Sequence, residues 1–298
     1  MADKIEVETA FRQLQSDIIV ALEVADGLGK FRRDEWKREE GGGGLTTIME
    51  DGAVIEKGGV NFSAVFGHLS NEASKALGVG ADTFYATGVS IVLHPKNPFV
   101  PIIHMNIRYF ETEHGQYWFG GGIDLTPHYV NENDARYFHE KLKKVCDSYN
   151  PNYYPEFKTW ADSYFFLPHR NETRGIGGIF FDRLEGEKRN TSKSELLQFV
   201  LEVGASFAPI YVHFMEQYKN HDFTDAHRKW QLLRRGRYVE FNLLFDRGTR
   251  FGLETGGRTE SILMSLPAEA HWAYDFTPSP GSPEATTLAQ LKKGITRV

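Results

Sequence analysis

The sequence contains one cysteine, Cys146, among 298 residues. No intrachain disulfide can form, which favours a reducing compartment. The N-terminus has neither a basic and apolar signal pattern nor an Arg-rich transit pattern, because acidic residues occur from the third position. No apolar run approaches the length of a membrane span. These absences predict a cytoplasmic protein that does not span a membrane.

Familiar cofactor and nucleophile motifs are missing as well. No glycine-rich GxGxxG turn follows a strand, and there is no Walker lysine motif, no HExxH and no GxSxG. Bound dinucleotide, nucleotide hydrolysis and elbow-serine hydrolysis therefore lose support. The formal net charge of −6 also argues against general binding to nucleic acid.

The residues that are present describe a soluble globular protein, with 41% hydrophobic and 25% charged residues. Aromatic residues reach 13%, which favours broad packed faces or a site for a flat ligand. Residues 228–258 hold eight basic and three acidic side chains, a net charge of +5. This segment is either a solvated basic face or a region that binds an anionic partner.

The periodicity predicts a single domain over residues 1–298. Apolar residues at helical spacing predict an N-terminal helix at about residues 5–26. Alternating runs punctuated by glycine predict strands within residues 39–67 and 84–124, and YVEFNLLFD, residues 238–246, also reads as a strand. Strands grouped in this way favour the α+β class over a doubly wound parallel sheet. We expect a large antiparallel β-sheet flanked by helices on both faces.

The stretch SIVLHPKNPFVPIIHMNIRYF places two histidines on neighbouring strands. Alternate side chains of a strand share a face, so His104, Asn106 and Arg108 lie together. Ser90 and His94 form a similar row on the preceding strand. The opposite face of the second strand is purely apolar and carries Ile103, Met105, Ile107 and Tyr109. We interpret the His–Asn–Arg row as the floor of a functional site rather than a solvated outer face.

The next strand, YWFGGGIDLTP, contributes Asp124. A two-residue turn at residues 114–115 would place Asp124 on the apolar face, where an ionised carboxylate is unfavourable. A bulge within residues 120–122 would shift the register and bring Asp124 opposite Asn106. We predict this bulge or an equivalent bend, with Arg108 keeping the Asp124 carboxylate ionised.

His104 fits a proton carrier, because an imidazole changes its charge near neutral pH. Ionised Asp124 fits an acceptor for N–H donors. A metal site is the competing hypothesis, because imidazole is a good ligand for several transition metals. Its candidate ligands lack helical i, i+3 or i, i+4 spacing and are His94, His104, His139 and His169. The turn at residues 256–258 is a further candidate for binding a carboxylate.

Six stretches closely resemble the oxygen-dependent coproporphyrinogen III oxidases, in unbroken order from about Trp36 to near the C-terminus. They are EEGGGGLTTIMEDGAVIEKGGVNFS, GVSIVLHPKNPFVPIIHMNIRYFE, YWFGGGIDLTP, HRNETRGIGGIFFD, RRGRYVEFNLLFDRGT and GGRTESILMSLP. The resemblance implies oxidative decarboxylation of two propionates of coproporphyrinogen III to vinyl groups, giving protoporphyrinogen IX in haem synthesis. It implies O2 as co-substrate, no organic cofactor, and a homodimer formed through residues 238–273. Mitochondrial relatives carry an N-terminal extension that this chain lacks, which favours a cytoplasmic location.

The resemblance also assigns roles to residues. His104 looks like the proton donor, Asp124 like the acid that holds the pyrrole N–H groups, and Ser90 like a substrate contact. Two further stretches resemble the substrate-binding segments of this family, and they contain Asn106, Ile107, Arg108, Gly256, Gly257 and Arg258. The four candidate histidines match metal ligands of bacterial members, whereas other members need no metal. In our hypothesis Arg108 sets the position of the Asp124 carboxylate.

The chemistry agrees with the missing motifs, because the electron-rich pyrroles of a porphyrinogen can reduce O2 directly. Four propionates need cationic anchors, which Arg108 and residues 228–258 would supply. Two other classes stay open, a tetrapyrrole-binding dimer without activity and a metal-dependent decarboxylase.

Overall fold

The computed structural model describes residues 3–69, 74–75, 77–254 and 257–298. The strands are β1 Arg32–Lys37, β2 Gly42–Glu50, β3 Ile55–His68, β4 Thr83–Pro95, β5 Ile102–Thr112, β6 Tyr117–Thr126, β7 Phe166–Leu167, β8 Glu172–Thr173 and β9 Gly178–Leu184. The helices are α1 Lys4–Asp26, α2 Glu132–Asp147, α3 Tyr153–Tyr164, α4 Gly186–Arg189, α5 Lys193–Tyr218, α6 Asp225–Leu244, α7 Arg247–Glu254, α8 Thr259–Leu263 and α9 Pro283–Gln290.

Seven strands form one antiparallel sheet in the order β1-β2-β3-β4-β5-β6-β9, and β7 pairs with β8 in a separate hairpin. The chain runs as a meander from β1 to β6. It then leaves the sheet for α2, α3 and the hairpin before β9 returns beside β6. The predicted α+β class with a large antiparallel sheet is confirmed.

The N-terminal helix α1 begins and ends as the sequence predicts. The Asp3 carboxylate accepts hydrogen bonds from the backbone N–H groups of Ile5 and Glu6, which caps the first turn. Gly27 ends the helix with φ of 79°, a left-handed conformation that glycine adopts without strain. The expected boundaries of 5–26 are confirmed to within one residue.

One face of the sheet forms the core. Ile103, Met105 and Ile107 of β5 are fully buried there, together with apolar residues of α1 and α5. Gly204 of α5 allows the close approach, because a Cβ at this position would collide with the Leu14 side chain. The apolar face predicted from the alternation in β5 is therefore confirmed.

The opposite face is covered in part by α6 and α8, and by α3, whose Tyr164 stacks on Phe180 of β9 at a centroid distance of 4.1 Å. Tyr238 of α6 packs on Val92 and Ile102 near one end of the strands. Ser261 of α8 bonds to the Thr46 hydroxyl at 2.7 Å and through its carbonyl to Asn61 at 3.1 Å. Helices thus flank both faces, and this second face of the sheet is named the site face below.

The register between β5 and β6 differs from the expectation. Thr112 pairs with Gln116, so the turn has three residues, and no bulge interrupts the ladder from Glu111 to Ile102. Asp124 lies opposite His104 rather than Asn106. The irregularity occurs instead between β6 and β9. The predicted bulge is therefore wrong. Asp124 still lies on the predicted face of the sheet, because the longer turn by itself shifts the register by one residue.

The stretch 238–246 does not form a strand, and that prediction is wrong. Residues 225–244 form α6, whose Thr224 and His227 make a capping box. Leu232 and Gly236 are two of the nine buried residues of this helix, and the other seven recur at three- and four-residue spacing: Trp230, Gln231, Arg234, Arg235, Tyr238, Phe241 and Asn242. Because several of these buried residues are polar, the helical period does not appear in the hydropathy pattern. Only the short alternation within residues 238–246 is visible there, and it resembles a strand.

Helix α5 is long and apolar enough to cross a membrane by length and composition, which the sequence analysis did not expect. More than half of its most apolar window is buried inside the protein, against α1 and the sheet. This burial is typical of the central helix of a globular core.

Candidate active site

The centre of the site face is a hydrogen-bonded pair formed by His104 and Asp124. His104 Nδ1 lies 2.8 Å from Asp124 Oδ1, and the two residues face each other across β5 and β6. Asp124 is 1% exposed, whereas the His104 side chain is 18% exposed. An ionised carboxylate can only accept hydrogen bonds, so Nδ1 carries the proton. Within the described chain Nε2 of His104 has no hydrogen-bond partner, which leaves it to act on a ligand.

Arg174, which follows β8, holds the Asp124 carboxylate on its other side. Arg174 Nη2 donates to Oδ1 at 2.6 Å and Nε donates to Oδ2 at 3.2 Å, while Nη1 donates to Asn242 Oδ1 at 2.9 Å. Three aromatic rings surround the guanidinium, with centroids 4.5–4.6 Å from Cζ, and belong to Phe165, Tyr238 and Phe241. Arg174 is therefore fixed in one position by contacts on all sides.

This environment decides the charge of Asp124. Burial alone would raise the pKa of its carboxyl group, but the charge of Arg174 and the hydrogen bonds from His104 and Arg174 outweigh burial and lower the pKa below its usual value. Burial would lower the pKa of Arg174, yet the Asp124 charge raises it. Both groups are ionised at neutral pH.

The expectation that Arg108 keeps Asp124 ionised is wrong, because Arg174 takes that place. Arg108 lies opposite Gly120, four residues along β6 from Asp124, and its guanidinium binds Asp182 Oδ1 at 2.9 Å and Asn106 Oδ1 at 3.0 Å. Its side chain is 38% exposed. Arg108 is therefore available to an anionic ligand on the site face.

The floor between these groups is a continuous row across five strands. Asn61, Ser90, Asn106, Gly122 and Phe180 are successive partners in the ladder and share the site face. Ser90 and Asn106, both predicted as substrate contacts, lie side by side at its centre. Of the predicted substrate contacts, the structure thus places Ser90 and Asn106 next to each other.

Two glycines keep this floor open. A Cβ on Gly120 would lie 2.6 Å from Asp182 Oδ1 and 2.9 Å from Arg108 Nε. A Cβ on Gly122 would lie 3.1 Å from the Phe180 ring. Any side chain at these positions would displace the site-face residues, so glycine lets a flat ligand approach the backbone.

Other predicted contacts are placed differently. The Ile107 side chain is fully buried on the core face, so it cannot contact a ligand on the site face. Gly256 lies outside the described residues. The backbone N–H of Gly257 donates to Gly252 O at 2.7 Å, and Arg258 binds Asp34 at 2.6 Å. The proposed convergence of Gly257 and Arg258 on one carboxylate is therefore wrong for the Gly257 N–H.

The basic segment 228–258 is mostly structural. Arg234 binds Glu172 and Arg235 binds Glu56, and both arginines are buried side chains of α6. Arg228 and Arg237 are also engaged in ion pairs with glutamates. Because these arginines are already paired with glutamates, the segment offers fewer cationic anchors for a ligand than expected. A count of charges in the sequence cannot distinguish such internal pairs from a surface that binds anions.

The four histidines considered as metal ligands do not converge. Both ring nitrogens of His139 are hydrogen-bonded, to Tyr154 and to the Ile176 carbonyl, and His94 Nε2 binds the Ser265 carbonyl. His169 lies against Glu240 instead. Among the residues that the structure describes, no three His, Cys, Asp or Glu side chains are placed to hold a metal ion. These histidines do not fit a common metal, and we derive no chemistry from one.

In the sequence Arg174 is part of the stretch HRNETRGIGGIFFD, and its role emerges only from the structure. The hairpin β7–β8 lies far from Asp124 in sequence, and α6 supplies Asn242, Tyr238 and Phe241 from a segment read as a strand. Only the motif HRNETRG, with two arginines beside a glycine turn, marked the region.

The site face thus defines a class of protein, one that holds a fixed acid–base pair beside a glycine-lined strand surface and a partly exposed arginine. Comparisons with known proteins give its family. Residues 6–296 match the family described as Coproporphyrinogen III oxidase. The chain belongs to that family.

Several named relatives are about half identical to the chain. It is 48% identical over 292 residues to "Coproporphyrinogen-III oxidase 1, chloroplastic" of Arabidopsis thaliana, covering 93% of this chain and 75% of the relative. It is 48% identical over 300 residues to the "Oxygen-dependent coproporphyrinogen-III oxidase" of Drosophila melanogaster, covering 96% and 76%. The mitochondrial Homo sapiens protein of that name is 48% identical over 303 residues, covering 97% and 66%.

Proposed function

We propose that this protein is an oxygen-dependent oxidoreductase that converts two propionates of coproporphyrinogen III into vinyl groups, which gives protoporphyrinogen IX in haem biosynthesis. The family supports the reaction. The observation that carries the proposal is the His104–Asp124–Arg174 arrangement at the floor of a wide, glycine-lined sheet face. It combines a group that can move a proton with space for a flat ring.

The dimensions of the site face suit a four-ring macrocycle. The row from Asn61 to Phe180 crosses five strands, and four interstrand spacings of ~4.8 Å give about 19 Å, with α8 over Asn61 at one end and Tyr164 stacked on Phe180 at the other. The porphyrinogen bends easily because its rings are not conjugated with one another. A bent macrocycle can therefore place one pyrrole against His104 while its carboxylates reach the rim.

In the mechanism, His104 is the catalytic residue that moves protons at Nε2, and Asp124 is a positioning residue. A carboxylate has about four acceptor positions. Three of those of Asp124 are occupied by Arg174 and His104. At most one pyrrole N–H can bind there, so the hypothesis that Asp124 holds several pyrrole donors needs this revision.

The substrate supplies the electrons. Loss of a pyrrole proton makes the ring electron-rich, O2 adds to it, and the resulting peroxide removes a propionate β-hydrogen as CO2 departs. Arg108 is the anchor for a propionate, because its guanidinium is partly exposed and pairs with carboxylate groups. Fixed charges that need no reorganisation stabilise the developing charge at little cost.

The direct experiment measures O2 uptake with coproporphyrinogen III and identifies the vinyl product by mass. Uptake that depends on the substrate, with loss of two CO2, supports the proposal. Turnover that continues without O2 would point to a simple decarboxylase, and binding without turnover to a tetrapyrrole carrier. Chelator treatment with metal analysis tests the divalent metal, and activity without an added organic cofactor tests that prediction.

A homodimer through residues 238–273 is part of the proposal and is supported by resemblance. Leu243, Leu244 and Leu253 in this segment are all more than 40% exposed, as expected of apolar residues that a second copy would cover. Sedimentation equilibrium should give twice the monomer mass of 33.9 kDa. A Leu243→Glu variant that leaves the mass distribution unchanged would rule out this surface.

We also propose a cytoplasmic location, supported by the single, buried Cys146. The named plant and human relatives are chloroplastic and mitochondrial. Cell fractionation with an antibody against the protein distinguishes these locations.

A further inference from the structure

A second polar layer lies directly behind the His104–Asp124 pair, under α6. Thr126 is the next residue on the site face of β6 after Asp124. His94 holds the same relation to Val92, the β4 partner of His104. Tyr238 of α6 packs on Val92 of β4 and Ile102 of β5, with its ring edge-on to His94 at a centroid distance of 5.1 Å. The layer thus lies two residues further along the strands than the His104–Asp124 pair.

Several polar atoms in this layer have no hydrogen-bond partner among the described residues. They are His94 Nδ1, Thr126 Oγ1, Tyr238 Oη, His128 Nε2, Arg234 Nη2 and Arg235 Nε. Their residues are all at most 4% exposed. Buried polar groups are almost always paired with protein or with ordered water, so six in one region need an explanation.

The hydrogen positions of the two histidines follow from their partners. A backbone carbonyl only accepts, so His94 Nε2 donates to Ser265 O and His128 Nδ1 donates to Pro98 O. Burial lowers the pKa of His94 well below its usual value and that of His128 to about 3, so both rings are neutral. His94 Nδ1 and His128 Nε2 are therefore lone-pair acceptors without a donor among the described residues.

The chemistry of these unpaired polar groups indicates which molecule can bind between them. Two imidazole lone pairs would repel an anion, and the guanidinium groups of Arg234 and Arg235 would repel a metal ion. Two hydroxyl groups can donate or accept. A water molecule both donates and accepts, so it can satisfy every one of these atoms.

The proposed reaction needs a proton source. Each propionate that leaves as CO2 with loss of one β-hydrogen releases two electrons and one proton. Oxygen takes up two protons with these two electrons, whether it ends as water or as hydrogen peroxide. One proton per vinyl group must therefore enter the site, while the bound macrocycle covers its open side.

We propose that ordered water molecules in the layer formed by His94, Thr126, His128 and Tyr238 deliver this proton to the His104–Asp124 pair. The proton relay depends on the proposed function, whereas the presence of the ordered water molecules does not. Tyr238 connects the two, because its ring stacks on the Arg174 guanidinium that holds Asp124.

Two isosteric variants, Tyr238→Phe and Thr126→Val, test the water molecules. If water bonds to these hydroxyls, both variants lower the melting temperature, and a crystal structure of the wild type places water within hydrogen-bond distance of His94 Nδ1 and Tyr238 Oη. If the hydroxyls are unpaired, their removal raises the melting temperature, which overturns the proposal. These results do not depend on activity.

Kinetics test the relay. We expect each variant to lower kcat about ten-fold with KM unchanged, and to increase the solvent deuterium isotope effect on kcat. The matched control is Tyr211→Phe, which removes another buried hydroxyl, in α5 on the core face, that also has no hydrogen-bond partner in the described part of the chain. Equal losses in the control, or an unchanged kcat and isotope effect in both variants, overturn the relay. A wild type without substrate-dependent O2 uptake refutes the function instead.

Discussion

The two faces of the sheet come from the same strands but differ in how their side chains are held. On β5, Met105 and Ile107 are fully buried in the apolar core, while Asn106 and Arg108 alternate with them on the site face. Any apolar neighbour of suitable volume can pack against Ile107. A charge such as Asp124 requires a particular partner with a particular geometry. Alternation therefore predicts the faces, and it does not predict the pairs.

The largest effect is expected at the site face from Asp124→Asn. Turnover should fall by roughly 10²–10⁴-fold, because His104 loses its ionised partner. The free energy of unfolding should fall by about 3–5 kcal/mol, since the buried Arg174 guanidinium is left without a counter-charge. Steady-state kinetics and urea unfolding measure the two losses.

The double variant Asp124→Asn/Arg174→Met separates those losses. Removing the second charge should recover much of the stability and none of the turnover. Near-normal turnover in either variant would refute the role of Asp124.

Neighbouring residues of β5 sharpen the contrast between faces. Ile107→Ala should lower the free energy of unfolding by about 2–5 kcal/mol through the cavity it leaves, with kcat and KM of the folded enzyme unchanged. Asn106→Ala should change stability by less than about 1 kcal/mol and raise KM. If Ile107→Ala raises KM while Asn106→Ala does not, the assignment of the faces to core and substrate is wrong.

Arg108→Gln tests the anchor. Loss of a charged hydrogen bond to a propionate should raise KM about ten-fold with little change in kcat. Stability should change by no more than about 1 kcal/mol, because the Arg108–Asp182 pair is partly exposed. Arg189→Gln, which breaks the Arg189–Glu156 pair away from the site, is the control and should leave KM unchanged.

The smallest effect concerns Glu240 of α6. Burial would raise its pKa, but hydrogen bonds from Arg170, His169 and Trp272 lower the pKa to about 2. Because the folded pKa is below the unfolded value of 4.5, the stabilisation is present above pH 4.5 and is lost as the pH falls towards 2.

The melting temperature of the wild type should therefore fall more steeply below pH 4.5 than that of Glu240→Gln. The exposed Glu187→Gln serves as the control and should follow the wild type. Parallel curves for the wild type and Glu240→Gln would contradict a lowered pKa at Glu240.

Sequence patterns predicted the parts of the fold that depend on local chemistry. The extent of α1 and the alternation of β5 each follow from a simple period in the sequence. Helix α6 was misread because its buried side chains include Arg234 and Arg235, whose partners Glu172 and Glu56 lie on distant segments. Hydropathy contains no information about such partners.

The site shows the same division. The sequence by itself determined that His104, Asn106 and Arg108 share a face and that this face is polar, because the two-residue period of a strand fixes which side chains lie together. Only the tertiary structure decided that Asp124 pairs with His104 and Arg174, since a one-residue change in turn length sets the register and a remote hairpin supplies the cation. Charge pairing acts through space over a few ångströms, and the chain brings residues 124 and 174 that close only when it folds.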